Sequence, residues 1–139
     1  MNAKELKKHL TYLRMASEWS SNSCCNRKKV GALIVKDQMI ISDGYNGTPS
    51  GFSNDCEDAN GDTQWFVLHA EANAITKLAK STQSAKEATL YMTLSPCKEC
   101  SKLIIQSGIK RIFYKDNYRD SQGLQILKEA GIPTIKLDY

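Results

Sequence analysis

Two short pieces of the chain, His69-Ala70-Glu71 and Pro96-Cys97-Lys98-Glu99-Cys100, constrain its fold more than any other feature. One histidine and two cysteines supply three ligands suited to zinc. They leave a fourth position open, which is the arrangement of a catalytic rather than a structural site. The fold must therefore bring two remote pieces together. Glu71 is not needed to hold a metal. It is needed if a water there must lose a proton and a substrate must gain one. A lone C-x-x-C could be a redox pair or half of a structural zinc site. For the whole set the alternative is a closed zinc knuckle completed by Cys24, Cys25 or Cys56. That alternative leaves Glu71 and Pro96 without a purpose, so the catalytic reading is preferred.

A chain of 139 residues suits one domain, taken as residues 1–139. Hydrophobic content of 41% and charged content of 24% are ordinary globular values. No apolar run approaches a membrane span, and Met1 to Glu5 open no signal peptide, so the expected location is the cytoplasm. Five cysteines, two of them in a C-x-x-C, fit metal ligation in a reducing compartment better than a disulfide framework. The net charge of +4 suits an anionic small molecule as well as a nucleic acid and does not decide between them.

Apolar residues at helical spacing predict a helix from about Lys4 to Ser21, with His9 on its surface or partly packed. After a basic loop containing Arg27, Lys28 and Lys29, Val30–Val35 reads as a buried strand. Asp37-Gln38 turns the chain, and Met39–Tyr45 returns as its partner. Asn46 to Gln64, rich in Gly, Asn, Asp and Ser, reads as a long ordered loop, and loops of that length are usually functional. A helix is expected from His69 to about Lys80, a strand over Thr89–Leu94 and a helix opened by Pro96. A strand over Arg111–Tyr114, a helix from Gln122 to Ala130 and a strand over Pro133–Leu137 complete the order. The later strand–helix–strand units require right-handed parallel crossovers. The expected fold class is α/β: a three-layer α/β/α arrangement with a five-stranded mixed sheet, one strand of it antiparallel. Trp19 and Trp65 are assigned to core or interface rather than to base stacking.

His69 and Cys97 to Cys100 thus lie at helix starts, where free N–H groups and partial positive charge favour thiolates. Two such helices side by side on one face of the sheet would let one zinc bridge them, with Glu71 facing the open position. A backbone N–H near Ala70 and a carbonyl near Ser95 would hold a substrate ring.

The motifs His69-Ala70-Glu71-Ala72-Asn73-Ala74-Ile75 and Ser95-Pro96-Cys97-x-x-Cys100 resemble the cytidine deaminase superfamily. Val30-Gly31-Ala32, the loop Gly44-Tyr45-Asn46-Gly47-Thr48-Pro49-Ser50-Gly51 and Gln106-Ser107-Gly108-Ile109-Lys110 narrow the resemblance to the deoxycytidylate (dCMP) deaminases, over about Cys24 to Pro133. The resemblance implies hydrolysis of dCMP to dUMP and ammonia, supplying thymidylate synthesis, with one catalytic zinc per subunit and Glu71 as the proton carrier. It implies a homohexamer, dCTP as activator, dTTP as inhibitor, and magnesium on the effector's phosphates. By the same resemblance Asn46 contacts the deoxyribose, and Tyr118 contacts the phosphate with Arg27 or a neighbouring lysine. The effector lies at a subunit interface near Asp43, Gly44, Gly47, Phe52 and Asn54. Some phage members hold a second, structural zinc through loop cysteines and histidines of an insertion. Here Cys24 or Cys25 and Cys56 remain, but the insertion is short and carries no histidine, so no second zinc is expected.

Residue by residue, blander readings stand beside these. Arg27, Lys28 and Lys29 could form a solvated face, Tyr118 could pack in the core, Asn46 could serve a turn with positive φ, and Asp43 could merely end a strand. A tRNA adenosine deaminase shares the zinc signature but expects a basic C-terminal helix after the fifth strand, where this sequence reaches Asp138-Tyr139. A zinc-stabilised scaffold without chemistry is the third reading. Neither nucleic acid nor membrane is therefore an expected partner.

Overall fold

The computed structural model describes residues 1–139. Helix α1 (Ala3–Ser20) starts at a reciprocal cap: Glu5 N–H donates to Asn2 Oδ1 at 2.9 Å and Asn2 N–H to Glu5 Oε2 at 3.3 Å. Strands β1 (Gly31–Lys36) and β2 (Met39–Tyr45) form a hairpin. Its turn residues Asp37 and Gln38 take φ of 52° and 62°, the left-handed pair that matches strand twist. Then follow α2 (Ala70–Leu78), β3 (Thr89–Leu94), α3 (Lys98–Ser107), β4 (Arg111–Asp116), α4 (Gln122–Glu129) and β5 (Thr134–Lys136).

The sheet order is β2-β1-β3-β4-β5. Strand β1 runs antiparallel to both neighbours, while β3, β4 and β5 are parallel. This is the expected mixed sheet with one reversed strand. Strands β1 and β3 are buried along almost their whole length, as a sheet covered on both faces requires. On one face Ala32, Ile34, Leu90, Met92 and Ile112 meet Ala70, Ala74 and Leu78 of α2, Ile104 of α3 and Leu127 of α4. On the other, Leu33, Val35, Tyr91 and Phe113 meet Leu13 and Ala16 of α1. The residues alternate face by face along each strand, as period two dictates. No helix is long and apolar enough to cross a membrane.

Four expectations need correction. His9 is buried, its ring stacked 4.0 Å from Phe113 and its Nδ1 2.6 Å from the Tyr91 hydroxyl. It shares α1's inward stripe with Leu13 and Ala16, four and seven residues on. Trp19 and Trp65, assigned to core or interface, are 39% and 89% exposed, which removes the core half of that assignment and leaves the interface half. Pro96 precedes the cap residue Cys97 instead of occupying the first helical turn. Cys25 and Cys56 are joined in a disulfide, so the cysteines do not all remain available for metal.

Candidate active site

Helices α2 and α3 lie side by side, and both start at the site. His69 caps α2 and Cys97 caps α3, each with extended backbone. His69 Nδ1 lies 3.4 Å from Cys97 Sγ and 3.4 Å from Cys100 Sγ. These three donors fall within 4.8 Å of one another, a separation that one ion can bridge. Cys24, Cys25 and Cys56 gather in a separate group, so they do not close the first into a knuckle. His69 is exposed and Cys100 buried, which leaves the donor set open on one side.

Glycine permits the approach that places each half. A Cβ on Gly44 of β2 would come within 2.3 Å of the Ala70 carbonyl oxygen, in the first turn after His69. A Cβ on Gly123 of α4 would come within 2.1 Å of the Pro96 oxygen and 2.9 Å of the Cys97 carbonyl carbon. Ser101 Oγ donates to the Cys97 carbonyl at 2.9 Å and steadies the same peptide.

The electrostatics suit a metal. Hydrogen bonds from the Cys100 thiol, the His69 ring and the Cys100 N–H bring the Cys97 thiol down to about 4, against the opposing effect of burial. Cys100 is pushed up by giving its hydrogen bond to Cys97 and by burial. His69 is raised, chiefly by its bond to Cys97. A thiolate, a second thiol beside it and an imidazole make a donor set that fits zinc, which would displace the shared protons. Glu71 is buried in the first turn of α2, and burial lifts its carboxyl to about 7 although His69 opposes the shift.

A cleft of about 560 Å3 opens above these groups. His69, Ala70, Glu71, Ser95, Cys97, Asn46, Tyr118 and Arg27 all line it, so the structure brings together every expected substrate-side residue. Ala70 opens α2, where its N–H has no helical carbonyl partner. Ser95 Oγ accepts from the Tyr118 N–H at 2.7 Å and ties the strand end to the Tyr118 loop. Asn46 has no positive φ. Its Oδ1 accepts from Val30 N–H at 2.8 Å and its Nδ2 donates to the Lys28 carbonyl at 2.8 Å, fixing the basic loop at the cleft wall.

None of Asp43, Gly44, Gly47, Phe52 and Asn54 lines the cleft. Asp43 pairs with Lys77 at 2.6 Å, while Phe52 and Asn54 are exposed. The sequence reading passed over Arg119, Glu57, Asp62 and Thr63, which do line the cleft. Arg119 follows Tyr118 and stands over its ring at 5.7 Å, so adjacency was the available signal. Glu57, Asp62 and Thr63 come from an irregular loop whose path no periodicity encodes.

The model of the cytidine and deoxycytidylate deaminase zinc-binding region matches residues 6–116. The deoxycytidylate deaminase of Saccharomyces cerevisiae is 36% identical over 138 residues, covering 92% of this chain and 44% of that protein. The deoxycytidylate deaminase of Enterobacteria phage T4 is 37% identical, covering 88% of this chain and 86% of its own. The crystal structure of dCMP deaminase from the cyanophage S-TIM5, in complex with dCMP and dUMP, superposes with a TM-score of 0.92 at 44% identity and covers 99% of both chains. The chain therefore spans less than half the length of the yeast relative and nearly all of the cyanophage one. The matched stretch contains the histidine, the glutamate and both cysteines of the cleft floor, and the chain belongs to the cytidine and deoxycytidylate deaminase zinc-binding family.

Proposed function

We propose that the chain, acting as one domain over residues 1–139, hydrolyses dCMP to dUMP and ammonia. The observation that carries this reading is the pairing of a proton-holding Glu71 on the cleft floor with Arg27, Lys28, Arg119 and Tyr118 on its walls. The floor suits a cytosine ring and the cationic wall a 5′-phosphate. The cyanophage structure with dCMP and dUMP supports the same substrate class.

His69, Cys97 and Cys100 would hold zinc, which when bound supplies a polarised water at neutral pH. The chain does the rest. Glu71 accepts a proton from the attacking water and delivers it to the ring nitrogen beside the amino-bearing carbon. It then takes the remaining proton of the added hydroxyl and passes it to the departing amine, which leaves as ammonia. Its raised carboxyl suits a group that must both take and return a proton near neutrality. The Ala70 N–H and the Ser95 carbonyl hold the ring, Asn46 faces the deoxyribose, and Tyr118 with Arg27 takes the phosphate.

The family resemblance further supports supply of dUMP for thymidylate synthesis in the cytoplasm, a homohexamer, activation by dCTP and inhibition by dTTP with magnesium. Exposed Phe52 and Trp65, each packed on Phe66, support an interface role for the loop that carries the effector residues. A panel of dCMP, deoxycytidine, dCTP and a tRNA stem-loop tests the substrate. Turnover restricted to dCMP is expected, and equal turnover of deoxycytidine would remove the phosphate from the reading. Adding dTTP with magnesium should suppress dCMP turnover, and light scattering should give six chains.

A further inference from the structure

Three cysteines that the proposed deamination does not use gather beside the cleft, and Cys25 among them lines it. Cys24 and Cys25 lie in the loop between α1 and β1, and Cys56 in the loop after β2. The Cys25–Cys56 disulfide is sheltered, its two residues being 3% and 1% exposed. Cys24 is a free, exposed thiol whose Sγ lies 3.5 Å from Cys56 Sγ. Little of the bond faces solvent, Cys25 showing only at the cleft, while the exposed Cys24 is already in contact with Cys56. Thiol–disulfide exchange needs only a thiolate, a disulfide sulfur in contact and a leaving thiolate.

We propose that Cys24, Cys25 and Cys56 form a thiol–disulfide exchange site, through which dithiol reductants loosen the wall of the substrate cleft. The loosening clause rests on the cleft being the nucleotide site argued above. Cys24 loses its proton and attacks Cys56. The Cys24–Cys56 bond forms, the Cys25–Cys56 bond breaks, and Cys25 leaves as a thiolate that takes up a proton. No electrons are gained or lost in that step. A dithiol then attacks Cys24 of the new, accessible disulfide and closes into its own disulfide. Two electrons pass from the dithiol, and all three cysteines end as thiols.

The bond matters because it ties together two loops that form the cleft. Cys25 directly precedes Asn26, Arg27 and Lys28, and Cys56 directly precedes Glu57. Asn26 N–H donates to the Glu57 carboxylate oxygens at 3.1 and 3.3 Å, a second rung beside the covalent one. The cross-link closes a sequence separation of 31 residues that includes the whole β1–β2 hairpin. Without it the Glu57 loop is tied to the loop carrying Arg27 and Lys28 by that exposed hydrogen bond, and the basic loop depends on Asn46 for its place at the cleft. The hold on an anionic substrate weakens, while Glu71 and the donor set stay in place.

The test uses full-length, zinc-loaded protein poised in graded ratios of reduced to oxidised dithiothreitol, quenched with iodoacetamide and mapped by peptide mass spectrometry. A Cys24–Cys56 peptide with alkylated Cys25 is expected at intermediate poise, and three alkylated cysteines at full reduction. Cys24→Ser should slow reduction of the Cys25–Cys56 bond by about tenfold or more, since the external thiol loses its relay. Full reduction should raise KM for dCMP about fivefold with kcat within about twofold, as loss of phosphate contacts alone predicts. Reduction of Cys24→Ser as fast as the parent would overturn the relay, as would a second zinc equivalent held by these three thiols. An unchanged KM would overturn the link to the cleft. The peptide map needs no substrate, so it reads the exchange even if the chain ignores dCMP.

Discussion

Glu71 is the residue on which the chemistry turns, and its proton also couples to folding. Burial holds its carboxyl at about 7 against a usual 4.5. Between those values the folded chain keeps a proton that the unfolded chain has released. That stability is fully present below pH 4.5 and is lost as pH rises to 7. In zinc-free protein Glu71→Gln should therefore change little near pH 4.5 and stabilise by about 3 kcal/mol at pH 8, read by urea unfolding. An equal gain at both pH values would place the proton elsewhere. In the zinc-loaded enzyme the same variant should keep its metal and fold while losing on the order of 10²–10⁴-fold in kcat. Retained turnover would remove Glu71 as the proton carrier, and unchanged cellular effects of the variant would support the scaffold reading. His9 teaches a different lesson at this scale. Burial, and next the charge of Arg111, lower its pKa, so it sits neutral in an aromatic stack far from the chemistry.

At the scale of elements, the metal ligands are placed by what stands behind them. The starts of α2 and α3 each lean on a glycine of a neighbouring element, Gly44 and Gly123. Gly123→Ala would drive a methyl into the Pro96–Cys97 peptide, so the peptide must move and carry Cys97 with it. Zinc retention against a chelator should fall about 10- to 100-fold, the scale typical of lost support behind a ligand, and the absorption bands of the cobalt-substituted protein should shift. Gly31→Ala provides the comparison. Its Cβ would meet the Ala16 carbonyl oxygen at 2.0 Å, where α1 crosses β1, so it should lower the melting temperature without altering the cobalt spectrum. Identical spectra for Gly123→Ala and the parent would remove the positioning role.

For the molecule as a whole, what could be read in advance follows the reach of local rules. Strand and helix periods, the turn at Asp37-Gln38 and the stop at Gly108 are local, and those elements lie where their patterns put them to within a few residues. The right-handed crossover rule fixed the parallel half of the sheet. Histidine, glutamate and cysteine spacing exposed the cleft floor because each functional residue sits within three residues of a helix cap. The wall at Glu57, Asp62 and Thr63 was not legible, because an irregular loop takes its path from tertiary contacts. The pairing of Cys25 with Cys56 was missed for a related reason. The sequence holds five cysteines without saying which approach, and the compartment argument favoured metal.

Strand β3 is the third of five and is bonded on both sides, with Leu90 and Met92 at its buried centre. Its amides should exchange with deuterium only through global opening. Cys97 and Cys100 follow directly from this strand. His69 instead ends the stretch from 47 to 68, whose only isolated bridges are Gly47 with Leu68 and Glu57 with Thr63. Stripping the metal should therefore speed labelling across 47–69 and leave 89–94 unchanged. That outcome would make the two cysteines a fixed anchorage and the histidine the ligand that opens first, while labelling that rises equally in both stretches would remove the distinction.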